Sequence, residues 1–138
     1  SRKGTNESLY GTETILVVED EEMVRNMVSH ILKEYKYTVL QAGNGDEAFA
    51  ISGQYPGTID LLLSDVVLPG KNGREITERL KQSRPDMKVL YMSGYTEKAI
   101  VHHGIVDDGI VFIQKPFSPE SLARKVREIL DAVPAKDR

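Results

Sequence analysis

From Glu13 onward, short β-branched runs alternate with longer amphipathic stretches, and that alternation constrains the fold more than any single residue does. A parallel strand pair cannot be joined by a tight turn. It needs a crossover, and the amphipathic stretches are crossover helices. Apolar runs at 14–18, 37–41, 59–64, 87–92 and 110–114 supply five strands of an α/β fold with one parallel sheet.

The intervening stretches carry helix signals of their own. Val24, Met27, Val28, Ile31 and Leu32 recur at helical spacing, so the first helix starts at Glu21 or Glu22 and runs to Glu34. Asn44 followed by Glu47 reads as a cap opening a helix through Phe49 and Ile51, and Asn72 with Glu75 repeats the pattern before a helix carrying Ile76 and Leu80. Residues 66–73 read as a loop from their Pro-Gly and Asn-Gly pairs. A short helix with thin apolar content is predicted over 95–103. Ser118, Pro119 and Glu120 open the last helix, whose buried stripe is Leu122, Val126, Ile129, Leu130 and Val133.

At 138 residues and 40% hydrophobic composition the chain suits one compact domain with a core. Residues 1–12 are expected as a polar tail or linker, 13–133 as the domain and 134–138 as a C-terminal tail. A net charge of -3, mixed in sign, gives no basic footprint for nucleic acid or an anionic membrane. The absence of cysteine excludes disulfides and thiolate-bound zinc and favours an intracellular, cytoplasmic reading. No run is long enough to span a membrane, and the first ten residues lack a signal-peptide pattern, so no membrane contact is expected.

Polar groups stand where the apolar runs end: Glu19 and Asp20 after the first, Asp65 after the third, Ser93 after the fourth and Lys115 after the fifth. Parallel strands deliver all of them to one carboxyl edge, where open α/β sheets place their ligands. Carboxylates gather only with a compensating cation, and a hard ion such as Mg²⁺ takes one or two carboxylates, waters and a phosphate oxygen. Asp20 and Asp65 suit that role, with a backbone carbonyl and a water held by Glu19. Glu21 and Glu22 read better as helix-capping acids. At the end of a buried strand, Asp65 can attack phosphorus, with Lys115 offsetting charge on the phosphoryl oxygens. Pro116 holds Lys115 extended. Ser93 either donates to a transferred phosphoryl oxygen or caps the following helix, and Phe112 is either a core aromatic or a ring that rotates when Ser93 moves. His30, His102 and His103 lack metal-ligand partners, and no dinucleotide or Walker pattern is present.

Glu19-Asp20, Asp65 with Pro69-Gly70 and Gly73, Ser93-Gly94 and Lys115-Pro116-Phe117 resemble, in order and spacing, the motifs of the receiver domain of two-component response regulators. The resemblance implies a single-domain, doubly wound (βα)5 fold of the flavodoxin-like receiver type. It implies that Asp65 is the phosphoacceptor, taking its phosphoryl group from a histidine kinase or histidine phosphotransfer domain with Mg²⁺ or Mn²⁺. It also implies metal binding by Glu19, Asp20, Asp65 and the Val67 carbonyl, a switch hydroxyl at Ser93, a phosphate partner at Lys115 and an aromatic switch at Phe112. Such a domain catalyses its own phosphorylation and dephosphorylation, and its output is the surface formed by helix 95–103, strand 110–113 and the last helix. Phosphorylation-dependent pairing with a second copy is open. Glu19 stands where aspartate is common, Ser93 for threonine and Phe112 for tyrosine, while Val67 and Tyr95 occupy positions that tune phosphoryl lifetime.

Residues 11–21 and 84–96 look more specifically like receivers at the carboxyl end of hybrid sensor histidine kinases, in which the parent chain is a kinase. A free-standing single-domain regulator is the alternative. A Mg²⁺-dependent phosphohydrolase would have its nucleophile after the first strand and a second aspartate two positions on, where this chain has Glu22. A scaffold that binds partners without phosphorylation fits the intact acid, hydroxyl and lysine set poorly.

Overall fold

The computed structural model describes residues 9–68, 71–94 and 111–132. The chain runs β1 (Thr14–Val18), α1 (Glu22–Glu34), β2 (Thr38–Ala42), α2 (Gly45–Gln54), β3 (Leu61–Asp65), β4 (Val67–Leu68), β5 (Lys71–Asn72), α3 (Gly73–Ser83), β6 (Lys88–Ser93), β7 (Phe112–Gln114) and α4 (Pro119–Asp131). Five strands form one sheet in the order β2-β1-β3-β6-β7. Every pairing in it is parallel. The chain steps outward from β1 to β2 and then back to the other side through β3, so the winding reverses between β1 and β3. A crevice opens at the carboxyl edge where such a reversal occurs.

Alternation along the strands divides the interior into two cores. Ile15, Val17, Leu61, Leu63, Leu90 and Met92 face one way and pack with α1 and α4 through Val28, Leu32, Leu122 and Val126. Leu16, Val18 and Leu62 face the other way and meet Ala48 of α2 and Ile76 and Leu80 of α3. Burial on both faces explains why β1 and β3 read as continuous apolar runs rather than as alternating ones. It also makes β3 the central strand, with Asp65 at its exposed end.

Local chemistry sets the starts of α2 and α4. Asn44 Oδ1 accepts from the Glu47 amide at 2.9 Å while Glu47 Oε1 accepts from the Gly43 amide at 2.6 Å, so each end satisfies the other. The cap of α4 is also reciprocal. Its second partner is Ser121 rather than an acid: the Ser118 and Ser121 hydroxyls each accept from the other's amide at 3.0 Å. Glu21 occupies the cap position of α1 without a side-chain cap bond. Glu19 Oε2 instead accepts from the Glu21 amide at 3.1 Å, which corrects the capping role expected of Glu21.

Several sequence expectations shift by a residue or two. The second strand is Thr38–Ala42, the fourth includes Ser93, and the fifth is confined to Phe112–Gln114. The stretch read as a loop holds a small antiparallel hairpin, with Val67 opposite Asn72 and Leu68 opposite Lys71. Lys71 and Asn72 are weak strand formers, so the local composition of this stretch reads as a loop although its backbone pairs. The helix predicted over 95–103, Val133 of the last stripe, Pro69 and Gly70 lie outside the described residues.

Residues 9–12, expected as the end of a tail, pack against the domain. The Gly11 amide donates to the Tyr35 carbonyl at 3.0 Å, and Tyr37 Oη donates to the Leu9 carbonyl at 3.3 Å. Arg127 of α4 closes the arrangement, reaching the Tyr10 carbonyl, Tyr37 Oη, both Glu13 oxygens and Asp131. A Cβ on Gly11 would run into the Tyr37 ring and fall 2.6 Å from Arg127, so any larger residue there would have to displace these side chains. The Arg127 guanidinium, bonded to Glu13, holds that carboxyl below its ordinary value. A depressed carboxylate contributes stability that is present above its unfolded pKa and is lost as pH falls through its folded pKa. Arg127→Met is therefore expected to cost about 2 kcal/mol at neutral pH. Its urea-melt stability should fall less steeply than that of the wild type as pH drops below the ordinary carboxylate range, because Glu13 then has no depressed pKa to lose. Parallel pH curves for the two proteins would contradict this.

Candidate functional site

Four strand ends build the site at the carboxyl edge. β1 delivers Glu19 and Asp20, β3 ends at Asp65, β6 ends at Ser93, and Lys115 follows β7. Register fixes their spacing: Asp65 pairs with Met92, Ser93 pairs with Gln114, and the Lys115 amide donates to the Ser93 carbonyl at 2.7 Å. Residues up to 96 positions apart in sequence are thereby held in one pocket.

Within it, Lys115 Nζ lies 3.2 Å from Glu19 Oε1 and 3.2 Å from Asp65 Oδ2, so one amine bridges two carboxylates. Glu19, Asp20 and Asp65 each offer an oxygen, and the three oxygens lie within 4.8 Å of one another. The gradient of burial is chemically useful. Glu19 is buried, Asp65 is partly buried and Asp20 is exposed, so an ion could enter from the Asp20 side while the far wall stays dry. Three hard oxygen donors at this separation match a small divalent cation that retains water ligands, and the set contains no soft or imidazole donor.

The charges are out of balance without such an ion. Burial pushes the Glu19 carboxyl above its ordinary value. The Asp65 charge adds to that rise, and the Glu21 amide and Lys115 offset it only in part. Burial alone would lower the Lys115 amine, but Asp65 and Glu19 outweigh it and hold the amine above its ordinary value, firmly cationic. Three acids against one amine leave an excess of negative charge that a metal would relieve.

The structure thus brings together the side chains of Glu19, Asp20, Asp65 and Lys115, and backbone pairing sets Ser93 at the end of the neighbouring strand. The Lys115–Pro116 bond is cis. Val67 starts β4, two residues beyond Asp65. Phe112 stands apart from the acids, half-buried on the edge strand β7, opposite Tyr91 and packed with Val66 and Tyr91. His30 is a surface group 3.4 Å from Glu34, while His102, His103 and Tyr95 lie outside the described residues.

Two contributors escaped sequence reasoning. Arg25 Nη1 donates to the Glu19 carbonyl at 2.7 Å, tying the acid pair to the first turn of α1. Its position on the helix that follows the acids was the available signal. Gly73 was noted only as a motif member, and its reason is steric: a Cβ there would sit 2.6 Å from the Asp65 carbonyl oxygen.

Comparison with known proteins adds a third line. The family model described as the response regulator receiver domain matches residues 15–127. The sensor kinase CckA of Brucella abortus is 38% identical over 123 residues, covering 89% of this chain and 13% of that protein. The transcriptional activator protein ExaE of Pseudomonas putida is 34% identical over 119 residues, covering 84% of this chain and 54% of that protein. The chain thus spans between 13% and 54% of the length of these two relatives. Among solved structures, the receiver domain of the hybrid histidine kinase CckA superposes with a TM-score of 0.72 at 35% identity, covering 86% of this chain and 99% of that one. The chemotaxis response regulator CheY4 of Vibrio cholerae superposes with a TM-score of 0.73 at 28% identity, covering 86% and 99% respectively.

Proposed function

The chain belongs to the response regulator receiver domain family, a module of two-component signalling, and from that premise we propose that Asp65 accepts a phosphoryl group from a phosphohistidine. The observation that carries this reading is the Lys115 amine shared at 3.2 Å between Asp65 and Glu19, with Asp20 completing an oxygen cluster. Asp65 Oδ attacks phosphorus, the phosphorus–nitrogen bond to the donor imidazole breaks, and the electron pair leaves with the ring nitrogen. The product is an aspartyl phosphate.

Lys115 offsets charge on the phosphoryl oxygens, and its raised pKa keeps it protonated throughout. Glu19, Asp20, Asp65 and the Val67 carbonyl would hold a divalent cation, Mg²⁺ or Mn²⁺, with Glu19 acting through a water; the ion supplies charge neutralisation for the phosphoryl group. The Ser93 hydroxyl donates to a phosphoryl oxygen that exists only after transfer, which biases the domain between two conformers. Phe112 follows Ser93, and the surface around residues 95–103, β7 and α4 carries the output.

The donor is a histidine kinase or a histidine phosphotransfer domain. Likeness to CckA supports a place at the carboxyl end of a hybrid kinase, with a free-standing regulator as the alternative. Among the described residues no helix is long and apolar enough to cross a membrane.

Incubation with acetyl phosphate and Mg²⁺ should add one phosphate to the intact protein by mass spectrometry, and excess EDTA should suppress it. Uptake indifferent to EDTA would overturn the role of the acid cluster as a metal site.

A further inference from the structure

Beneath the pocket, a series of hydrogen bonds leaves β6 and returns to it. The Met92 carbonyl accepts from the Val66 amide at 3.1 Å, and the Val66 carbonyl accepts from the Gly73 amide at 2.6 Å. The Gly73 carbonyl accepts from Thr77 Oγ1 at 2.9 Å, and Thr77 Oγ1 accepts from Tyr91 Oη at 2.7 Å. The circuit begins and ends on neighbouring residues, Met92 and Tyr91, immediately before Ser93. It also encloses the residue that follows Asp65. Thr77 donates its one hydroxyl proton to the Gly73 carbonyl and so must accept from Tyr91.

Sterics close the same loop. The space at Gly73 that a Cβ would fill lies 2.6 Å from the Asp65 carbonyl oxygen and 3.1 Å from Tyr91 Cε1, so glycine, the Asp65 main chain and the tyrosine ring are in mutual contact. Tyr91 is 2% exposed and packs with Val66 and Phe112. A phenylalanine there would fill the same volume. The hydroxyl is not required for packing, and at this depth it must have a partner.

We propose that Tyr91 and Thr77 are positioning residues of the phosphoryl site: their hydroxyl bond locks β6 to the first turns of α3 and so fixes Ser93 relative to Asp65. The proposal rests on the reading of Asp65 as acceptor and Ser93 as the responding hydroxyl. Pairing between β3 and β6 sets the register of those two residues. The hydroxyl bond adds a side-chain tie from α3 to β6, beyond the main-chain bonds that join Val66 to Met92 and to Gly73. A geometric error there acts on the rate of transfer more than on the binding of the donor.

The test measures uptake from acetyl phosphate at saturating Mg²⁺, separating the maximal rate from the donor concentration that gives half of it. Tyr91→Phe and Thr77→Val should each lower the maximal rate about tenfold with the half-saturating concentration unchanged. The double variant should be no slower than either single one, and Thr77→Ser, which keeps the hydroxyl, should restore the wild-type rate. Exchange protection of the Gly73 amide, read without metal or donor, should drop in Tyr91→Phe and Thr77→Val and remain in Thr77→Ser. Wild-type rates in Tyr91→Phe and Thr77→Val, accompanied only by lower melting temperatures, would reduce the bond to a packing device and overturn the proposal. Uptake that survives Asp65→Asn would remove the acceptor reading itself, and the proposal with it.

Discussion

Asp65→Asn is expected to take up no phosphate from acetyl phosphate and Mg²⁺ under conditions in which the wild-type domain takes one. The amide keeps the volume of the carboxylate at the end of β3 but replaces one accepting oxygen with a donating NH2 group and has no nucleophilic oxygen of comparable basicity. It also removes one of the three negative charges of the cluster. The fold should survive, since Asp65 is the last residue of its strand and its side chain, 15% exposed, lies at the pocket rather than in either core. Urea melts should place the variant within about 1 kcal/mol of the wild type. Lost uptake with an intact fold locates the chemistry; unchanged uptake would take Asp65 out of its role.

Gly73→Ala should damage both stability and function, for a reason unrelated to backbone dihedrals. The added Cβ would stand 2.6 Å from the Asp65 carbonyl oxygen and 3.1 Å from the Tyr91 ring, and the nearer contact is main chain that cannot rotate away. Either the start of α3 or the end of β3 must move, and the Gly73 amide bond to Val66 is strained in both cases. A loss of about 3 kcal/mol in urea melts is expected, at the upper end for overpacking. Phosphoryl uptake by the fraction that remains folded should slow as Asp65 is displaced. A variant as stable and as active as the wild type would contradict this steric role.

Much of this was legible in the sequence because parallel sheets obey strong rules. Alternating apolar runs and amphipathic stretches specified the topology class, and the order of strand ends then predicted that Glu19, Asp20, Asp65, Ser93 and Lys115 would meet. The helix starts at Asn44 and Ser118 were readable from side chains that bond their own backbone. The role of Glu19 was harder. Its side chain does three things at once, accepting from the Glu21 amide, pairing with Lys115 and joining the oxygen cluster, and only the last was visible from its neighbour Asp20.

What stayed hidden depends on contacts between distant residues. Arg127 reads as one more solvated cation on α4 until Glu13, Tyr37 and the Tyr10 carbonyl are found around it. Tyr91 reads as a buried strand aromatic until its hydroxyl is seen to meet Thr77. The hairpin of β4 and β5 was read as a loop because its turn residues are stronger local signals than two-residue strands. A phosphohydrolase pattern would need a second aspartate two positions after Asp20, and this chain has Glu22 there, an exposed residue in the first turn of α1.

The most direct measurement is the position of the phosphate in the wild-type chain. After brief exposure to acetyl phosphate and Mg²⁺, reductive trapping with borohydride converts an acyl phosphate to an alcohol at the carboxyl carbon that held it, and peptide sequencing by mass spectrometry finds that residue. The account predicts a single trapped site, Asp65. Trapping at Asp20 or Glu19, or a phosphate found on His30, His102 or His103, would contradict it.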